Sequence, residues 1–321
     1  MTLIRRFAGL VGMIGIVLFF SLAKPETFPT LGNWLNISQQ VSMLLVVAVA
    51  MTVVMAMGDF DLSVGAMASL AGVIAAVMFK AGFGMVPALG AALVAGLAAG
   101  VVNGALVSLG GLLPFVATLA TMTVLSGAAF IISDGRTISG TDLPAAFGEF
   151  ARSGIPLAMD GERVLRLPSL TIVAALVALV LWVVLEQTNY GRRLYAIGGN
   201  MEAARLAGVR VRLLRLTGFA FTGLGAAVAG LLYASRVASA NPVQGDGLML
   251  SAIAAVFLGQ SLTESGQPRI LATVAGVVVL GALDNGLTQM RVDSYVREVL
   301  VGVIILVAVG ISALARRGQR R

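Results

Sequence analysis

NYGRRLYAIGGNMEAARLAGVRVRLLR, residues Asn189–Arg215, separates two apolar blocks and is the longest interruption of this kind that carries a dense run of positive charge. Arg192, Arg193, Arg205, Arg210, Arg212 and Arg215 have only Glu202 as counter-charge. The middle reads as a loop followed by a short helix. Gly198 and Gly199 permit backbone angles that other residues avoid. Asn200 is a good N-cap, Met201–Ala207 is rich in helix formers (Ala203, Ala204, Arg205, Leu206), and Glu202 sits in the first turn, where the helix dipole favours an anion. Gly208 then stops the helix. Two readings stand. A short capped helix between two membrane spans suits a docking knob. An Arg-rich cytoplasmic loop that merely fixes topology carries the same charge.

The blocks on either side decide the class. The chain has 321 residues, 58% hydrophobic and only 12% charged, against about 25% charged for a soluble protein. This is an integral membrane protein with many spans, an all-α polytopic helix bundle in one transmembrane domain over residues 1–321. The net charge of +7 does not point to nucleic acid, because the positive charge concentrates in segments assigned to the cytoplasmic side. There is no cysteine and no histidine, which removes disulfides, thiol redox centres, Cys–zinc sites and the commonest acid–base group. The 39 glycines argue for close helix packing.

Arg5 and Arg6 precede an apolar run from Phe7 to Ala23; Ser21-Leu22-Ala23 before Lys24 resembles a signal-peptidase site, but a retained first span gives the simplest topology. Lys24–Gln40 is an external loop with a surface helix in view. Further spans are expected at Val41–Met57, Leu62–Phe79, Val86–Ser108, Pro114–Ile132, Pro168–Leu185, Leu216–Ser235, Leu248–Leu262, Ile270–Leu287 and Tyr295–Leu314, about ten in all. Residues 133–167 form the largest external segment and 187–215 the cytoplasmic loop. With this count both termini and the arginine loop share a side, together with Arg269 and the tail Arg316, Arg317, Arg320 and Arg321, so that side is the cytoplasm. Ten spans divide into five plus five, which permits an inverted pseudo-repeat, although the sequence shows no clear repeat.

Polar groups inside the apolar blocks are the candidates for chemistry. Gly58-Asp59-Phe60-Asp61-Leu62-Ser63 breaks the apolar run from Val41 to Phe79. Asp61 or Ser63 could cap the third span; alternatively the two carboxylates are a proton- or cation-coupling pair. No basic partner lies nearby in sequence. Asp284-Asn285 near the outer end of the ninth span is a functional candidate, or else reaches interfacial water or pairs with Arg291 or Arg297. Asn103-Gly104 at the inner end of the fourth span could bond across helices or end the helix, while Thr118, Thr121 and Thr123 are expected to bond back to their own helix. Asn103, Thr118, Thr121, Asp284 and Asn285 are the candidates for a translocation path. No Walker phosphate loop, nucleophile–base constellation or metal cluster is visible, so the chain calls for no cofactor and no metal of its own and is not expected to be an enzyme. Trp34 and Trp182 are the only tryptophans, which leaves little aromatic wall for a tight small-molecule pocket.

Three motifs in order carry a resemblance: GDFDLSVG (Gly58–Gly65), Asn103-Gly104 followed by PFVATLATM (Pro114–Met122), and Tyr190–Val209. Over essentially the whole chain it resembles the permease subunit of bacterial ABC importers for monosaccharides, the ribose, xylose, galactose and arabinose group. The GDFDLSV form is most similar to L-arabinose permeases, whereas relatives commonly carry Gly-Gly-Ile-Asp there. Leu113 stands where many relatives have a second proline, and Asp284 precedes the Asn-Gly of the ninth span. The resemblance implies a homodimer in the bacterial inner membrane, a separate ATP-binding-cassette ATPase that docks on the helix at about Asn200–Gly208, and a periplasmic sugar-binding protein. An ion-coupled secondary transporter using Asp59, Asp61 and Asp284 is the alternative, and an intramembrane enzyme a third.

Overall fold

The computed structural model describes residues 2–161, 163–263, 266–300, 302–303 and 306. Among them lie twelve helices: α1 Thr2–Ala23, α2 Leu31–Met55, α3 Val64–Lys80, α4 Met85–Ser108, α5 Pro114–Ser133, α6 Ala145–Arg152, α7 Ser169–Trp182, α8 Asn189–Gly199, α9 Met201–Leu206, α10 Val211–Val237, α11 Leu248–Ser261 and α12 Ile270–Gln289. Residues 294–300 are again helical. Most of the rest of the expected tenth span, and the arginine tail, lie outside the described residues.

Among the described residues six helices are long and apolar enough to cross a membrane: α2, α4, α5, α7 with its continuation to Gln187, α10 and α12. Three shorter apolar stretches, Gly12–Ala23, α3 and α11, accompany them. The second helix starts ten residues before the expected span, at Leu31, where Thr30 Oγ1 accepts the Asn33 N–H at 3.2 Å. The threonine cap, not the onset of hydrophobicity, sets that boundary. At 14 residues, α11 is about 21 Å long, short of an about 30 Å hydrocarbon core. The eighth span, expected at Leu248–Leu262, is thus found at Leu248–Ser261 as a short helix, and residues 241–247 reach its start without regular structure.

The all-α expectation also needs amending outside the bundle. β1 (Ile138–Ser139) pairs antiparallel with β4 (Ser239–Ala240), Ile138 opposite Ala240. β2 (Gly154–Asp160) and β3 (Arg163–Pro168) form a hairpin with Ile155 opposite Leu167. Its turn holds Gly161 at φ +59, right after Asp160, a turn signal the composition of the segment hides.

Helix α2 is the centre of the bundle. It is buried from Val41 to Met55 except at Leu44 and Leu45, and packs against α7, α10, α11 and α12. Helices α4 and α10 meet through glycines every fourth residue. A Cβ at Gly96 would stand 2.6 Å from Gly223 O, at Gly100 2.3 Å from Phe219 O, and at Gly104 2.6 Å from the Leu216 Cα. Small residues at this spacing let backbones touch and gain dispersion contacts that lipid cannot supply. Conversely, α4, α5 and α7 leave large apolar side chains such as Val94, Val124 and Leu176 exposed on the outside.

Candidate functional site

The arginine-rich segment is not a loop with one helix but two helices in succession. The seventh helix runs on as a wider turn, Val183–Gln187, and α8 follows directly. The start of α8 folds back closely on that turn: a Cβ at Gly191 would lie 1.7 Å from Leu185 O. Gly191, Leu194 and Ile197 face inward while Arg192 and Arg193 are exposed, so the amphipathic face of α8 is what fastens it under the bundle. Gly198 and Gly199 lie within α8 and neither has a positive φ, contrary to the reading of unusual backbone angles. Gly198 is needed for proximity, since a Cβ there would stand 2.2 Å from Ala56 O at the end of α2; Gly199 has nothing within 4 Å.

Three side chains bolt this region to the spans. Tyr195 Oη donates to Pro268 O at 2.7 Å, and Glu186 accepts the Ile270 N–H at 2.8 Å, capping α12 from a distance. Burial, reinforced by the Glu186 charge, pushes the Tyr195 hydroxyl above its ordinary range, so it serves as a neutral donor. Tyr190 Oη meets Thr217 Oγ1 at 2.8 Å. Glu186, Tyr190 and Tyr195 were missed as site residues; each is the polar tip of an otherwise apolar position, a pattern that sequence periodicity does not separate from packing.

Beyond α8, Asn200 Oδ1 accepts the Ala203 N–H at 3.0 Å and starts α9. At its end Gly208 has φ +81, with Gly208 N–H to Arg205 O at 3.0 Å and Val209 N–H to Ala204 O at 3.0 Å, a Schellman closure. Between these caps Ala204 is buried, while Glu202, Ala203, Arg205 and Leu206 are exposed, Leu206 at 78%. Glu202 pairs with Arg205 at 2.7 Å on the open surface, an ion pair of small value. The result is a protruding helix, pinned at both ends, with an apolar tip and a basic surround.

The break between α2 and α3 lies beside this assembly. Asp59 does have a basic partner, supplied from 156 residues away: Arg215 Nε donates to Oδ2 at 2.7 Å and Nη2 to Oδ1 at 2.9 Å. The two side chains are 7% and 13% exposed. Arg215 was legible only as one of six loop arginines; it falls in the second turn of α10, where apolar residues follow, and that position is the signal that separates it from the others.

Asp61 occupies a different pocket. Its Oδ1 accepts the Ser63 N–H at 2.9 Å, Ser63 Oγ at 2.6 Å and Asn103 Nδ2 at 3.4 Å. Ser63 makes no side-chain cap to α3; the oxygen at the start of that helix is the Asp61 carboxylate. Asn103 Nδ2 also donates to Ser63 Oγ at 2.8 Å, and Thr121 Oγ1 donates to Asn103 Oδ1 at 2.6 Å. This chain ties the break to α4 and α5. Gly58 has φ +83, which lets the backbone turn out of α2.

The residues proposed for a path do not form one set. Asn103 and Thr121 join the Asp61–Ser63 cluster, whereas the Thr118 hydroxyl returns to Pro114 O of its own helix at 2.8 Å. Asp284 and Asn285 lie at the opposite end of the bundle, on the last turns of α12. Asp284 is exposed and accepts from Arg297 at 2.7 Å. Asn285 accepts from Gln289 at 2.9 Å, which also donates to Asn33 and accepts from Thr27. That cluster fastens α12 to the start of α2. Among the described residues no three acidic groups come together to hold a metal.

Residues 33–309 match the family model described as branched-chain amino acid transport system / permease component. The ribose import permease protein RbsC of Bacillus subtilis is 37% identical over 308 residues, 95% of this chain and 92% of that protein. RbsC of Escherichia coli is 36% identical over 302 residues, 94% and 91% of the two chains. The L-arabinose transport system permease protein AraH of Escherichia coli is 34% identical over 314 residues, 95% and 90%. The greater likeness to L-arabinose permeases expected from GDFDLSV is therefore corrected: one short motif carries less than three hundred aligned positions. No solved structure matches the chain.

Proposed function

The chain belongs to this family of transport-system permease components, and from that premise we propose that it is the membrane-spanning subunit of an ATP-driven monosaccharide importer. The observation that carries the reading is likeness to sugar permeases along nearly the whole chain, 95% of it for RbsC of Bacillus subtilis. On this reading α9 with its flanking arginines and Leu206 is the seat of a separate ATPase, and α8 is the platform that transmits the load. A periplasmic binding protein supplies substrate to the opposite face, which includes the 133–167 segment. Two copies form the passage, in the bacterial inner membrane, with about ten spans each and both termini in the cytoplasm. Ribose, allose and L-arabinose are named by the relatives; a neutral pentose or hexose is the cargo class.

The ion-coupled alternative is not favoured: of its three carboxylates two are ion-paired, and the third, Asp61, accepts from Ser63 and Asn103. Asp59 is held by Arg215, Asp284 by Arg297, and neither adjoins the other. Reconstitution decides between the two. The permease, its genomic-neighbour ATPase and binding protein in proteoliposomes should take up D-ribose, D-allose or L-arabinose only with ATP, be stopped by vanadate, and be indifferent to ionophores. Uptake by the permease alone, abolished by an ionophore, overturns the proposal.

A further inference from the structure

Residues 241–247 enter the bundle as irregular chain and are clamped there. Gly245 N–H donates to Ser69 Oγ of α3 at 2.8 Å, and Gln244 Nε2 donates to Gly230 O of α10 at 3.2 Å. At Gly65 the contact with α3 is backbone to backbone, a Cβ on Gly245 standing 2.0 Å from Gly65 O, and Gly72 makes room for a side chain, a Cβ there standing 2.0 Å from Gln244 Nε2. These contacts fix the depth. Ser69 lies about 16 Å along α3 from Lys80, at 1.5 Å per residue. Lys80 pairs with Asp142 on the external side at 3.9 Å. With a hydrocarbon core about 30 Å thick, Gly245 sits well inside it.

The next residue is Asp246. It is exposed, and no hydrogen bond or ion pair engages its side chain among the described residues. Val243 at 47% and Leu250 at 66% are exposed beside it in sequence. An unpaired carboxylate at this depth is not tolerated against lipid tails, and irregular backbone at membrane depth occurs where it is covered by protein or borders water. Gln244 and Gly245 meet the first condition and Asp246 meets neither unless its side is wet. We propose that the face carrying Val243 and Asp246 borders the aqueous passage, and that Asp246 accepts hydrogen bonds from the hydroxyls of a monosaccharide crossing it. A carboxylate offers acceptors only, which suits a polyhydroxylated neutral molecule and repels an anionic one. This rests on the sugar-importer reading for its cargo, but not for its water.

The chain has no native cysteine, so single substitutions report directly. In the complete importer, Asp246→Cys and Val243→Cys are treated with a negatively charged, membrane-impermeant methanethiosulfonate. Val94→Cys and Leu176→Cys, exposed in mid-helix at 66% and 58%, are the controls on the outer surface. The expected result is modification at Asp246→Cys or Val243→Cys at least tenfold faster than at either control. It should be slowed several-fold during turnover of whichever of D-ribose, D-allose and L-arabinose the unmodified importer takes up. If Asp246→Cys fails to assemble, Val243→Cys answers for the face, and Asp246→Asn against Asp246→Leu answers for the carboxylate: Asn should keep at least a third of the uptake rate and Leu under a tenth. Reaction no faster than the controls in an importer that takes up sugar overturns the proposal, as does equal uptake by the Asn and Leu variants. Fast reaction in an importer that takes up none of the three sugars leaves the wet face standing and removes the cargo reading instead.

Discussion

Removing one partner of the Asp59–Arg215 pair should be among the most damaging single changes in the chain. The carboxylate and the guanidinium form two parallel bonds of 2.7 and 2.9 Å and are 7% and 13% exposed. Both charges have given up most of their water. Asp59→Leu leaves Arg215 buried without a counter-charge, and Arg215→Met does the same to Asp59. Breaking a buried pair from one side costs about 3–5 kcal/mol, whereas replacing both partners with apolar groups of similar volume is often neutral. The double variant Asp59→Leu/Arg215→Met should therefore sit within about 1 kcal/mol of the parent, with a coupling energy of at least about 3 kcal/mol. Reversible unfolding of the purified permease in mixed micelles, titrated with SDS, reads all four corners of the cycle. Two single variants that each lose less than about 1 kcal/mol would refute the reasoning, since the pair would then be solvated in spite of its burial. Sugar-stimulated ATPase measured on the same four proteins adds a second reading. If the pair is also the link from α10 to the α2–α3 break, the double variant will fold normally and couple poorly.

Asp61→Asn should retain most transport, because an amide oxygen can still accept from Ser63, while Asp61→Leu strands the Ser63 and Asn103 donors and should reduce folded protein in the membrane severalfold; full expression without uptake in the Asn variant would indicate a proton-carrying role. Asn200→Ala removes the cap of α9, at a local cost of about 1 kcal/mol, and Gly208→Val forces a branched residue to φ +81. On the proposed reading both should leave the permease inserted in the membrane and lower sugar-stimulated ATPase severalfold, which co-purification with the ATPase and a phosphate-release assay will check. For topology, Thr141→Cys should react with an impermeant maleimide on cells whose outer membrane is permeabilised, and Gly199→Cys only after lysis; the reverse order would invert the assigned orientation.

Much of this architecture was legible because apolar length is a direct physical signal. The spans at Val86–Ser108 and Pro114–Ile132 coincide within a residue with α4 and α5, since each ends at a residue that stops a helix or begins one: Pro114 opens α5 at a position with no N–H to lose. The caps of α9 were equally readable, because Asn200 and Gly208 act within four residues of the groups they satisfy. What escaped was non-local. Nothing in the neighbourhood of Asp59 announces Arg215, and nothing near Ile270 announces Glu186. The bounds of α11 were legible too, expected at Leu248–Leu262 and found at Leu248–Ser261; what was not legible was the clamp of Gly245 on Gly65 and Ser69 just ahead of it.

Those non-local contacts supply a physical route for coupling on the proposed reading. A rigid push on α9 reaches α8 and α10 first, because a single residue, Asn200, joins it to the one and a short Schellman turn to the other. From α8 the load passes through Tyr195 to the Pro268 carbonyl, and the adjoining Glu186 holds the first N–H of α12. From α10 it passes through Arg215 to Asp59. Asp61, two residues on, is tied through Ser63 and Asn103 to Thr121, so α3, α4 and α5 share one polar knot at their cytoplasmic ends. Hydrogen-bonded side chains in a low-dielectric surround resist sliding more than apolar contacts do, because each separation leaves a donor or acceptor unpaired. Apolar faces such as those of α4 and α5 carry no such penalty and can shift against lipid or a second copy. A bundle built this way is stiff where it meets its motor and compliant where it must open, and the glycine seam of α4 with α10 joins the two regimes.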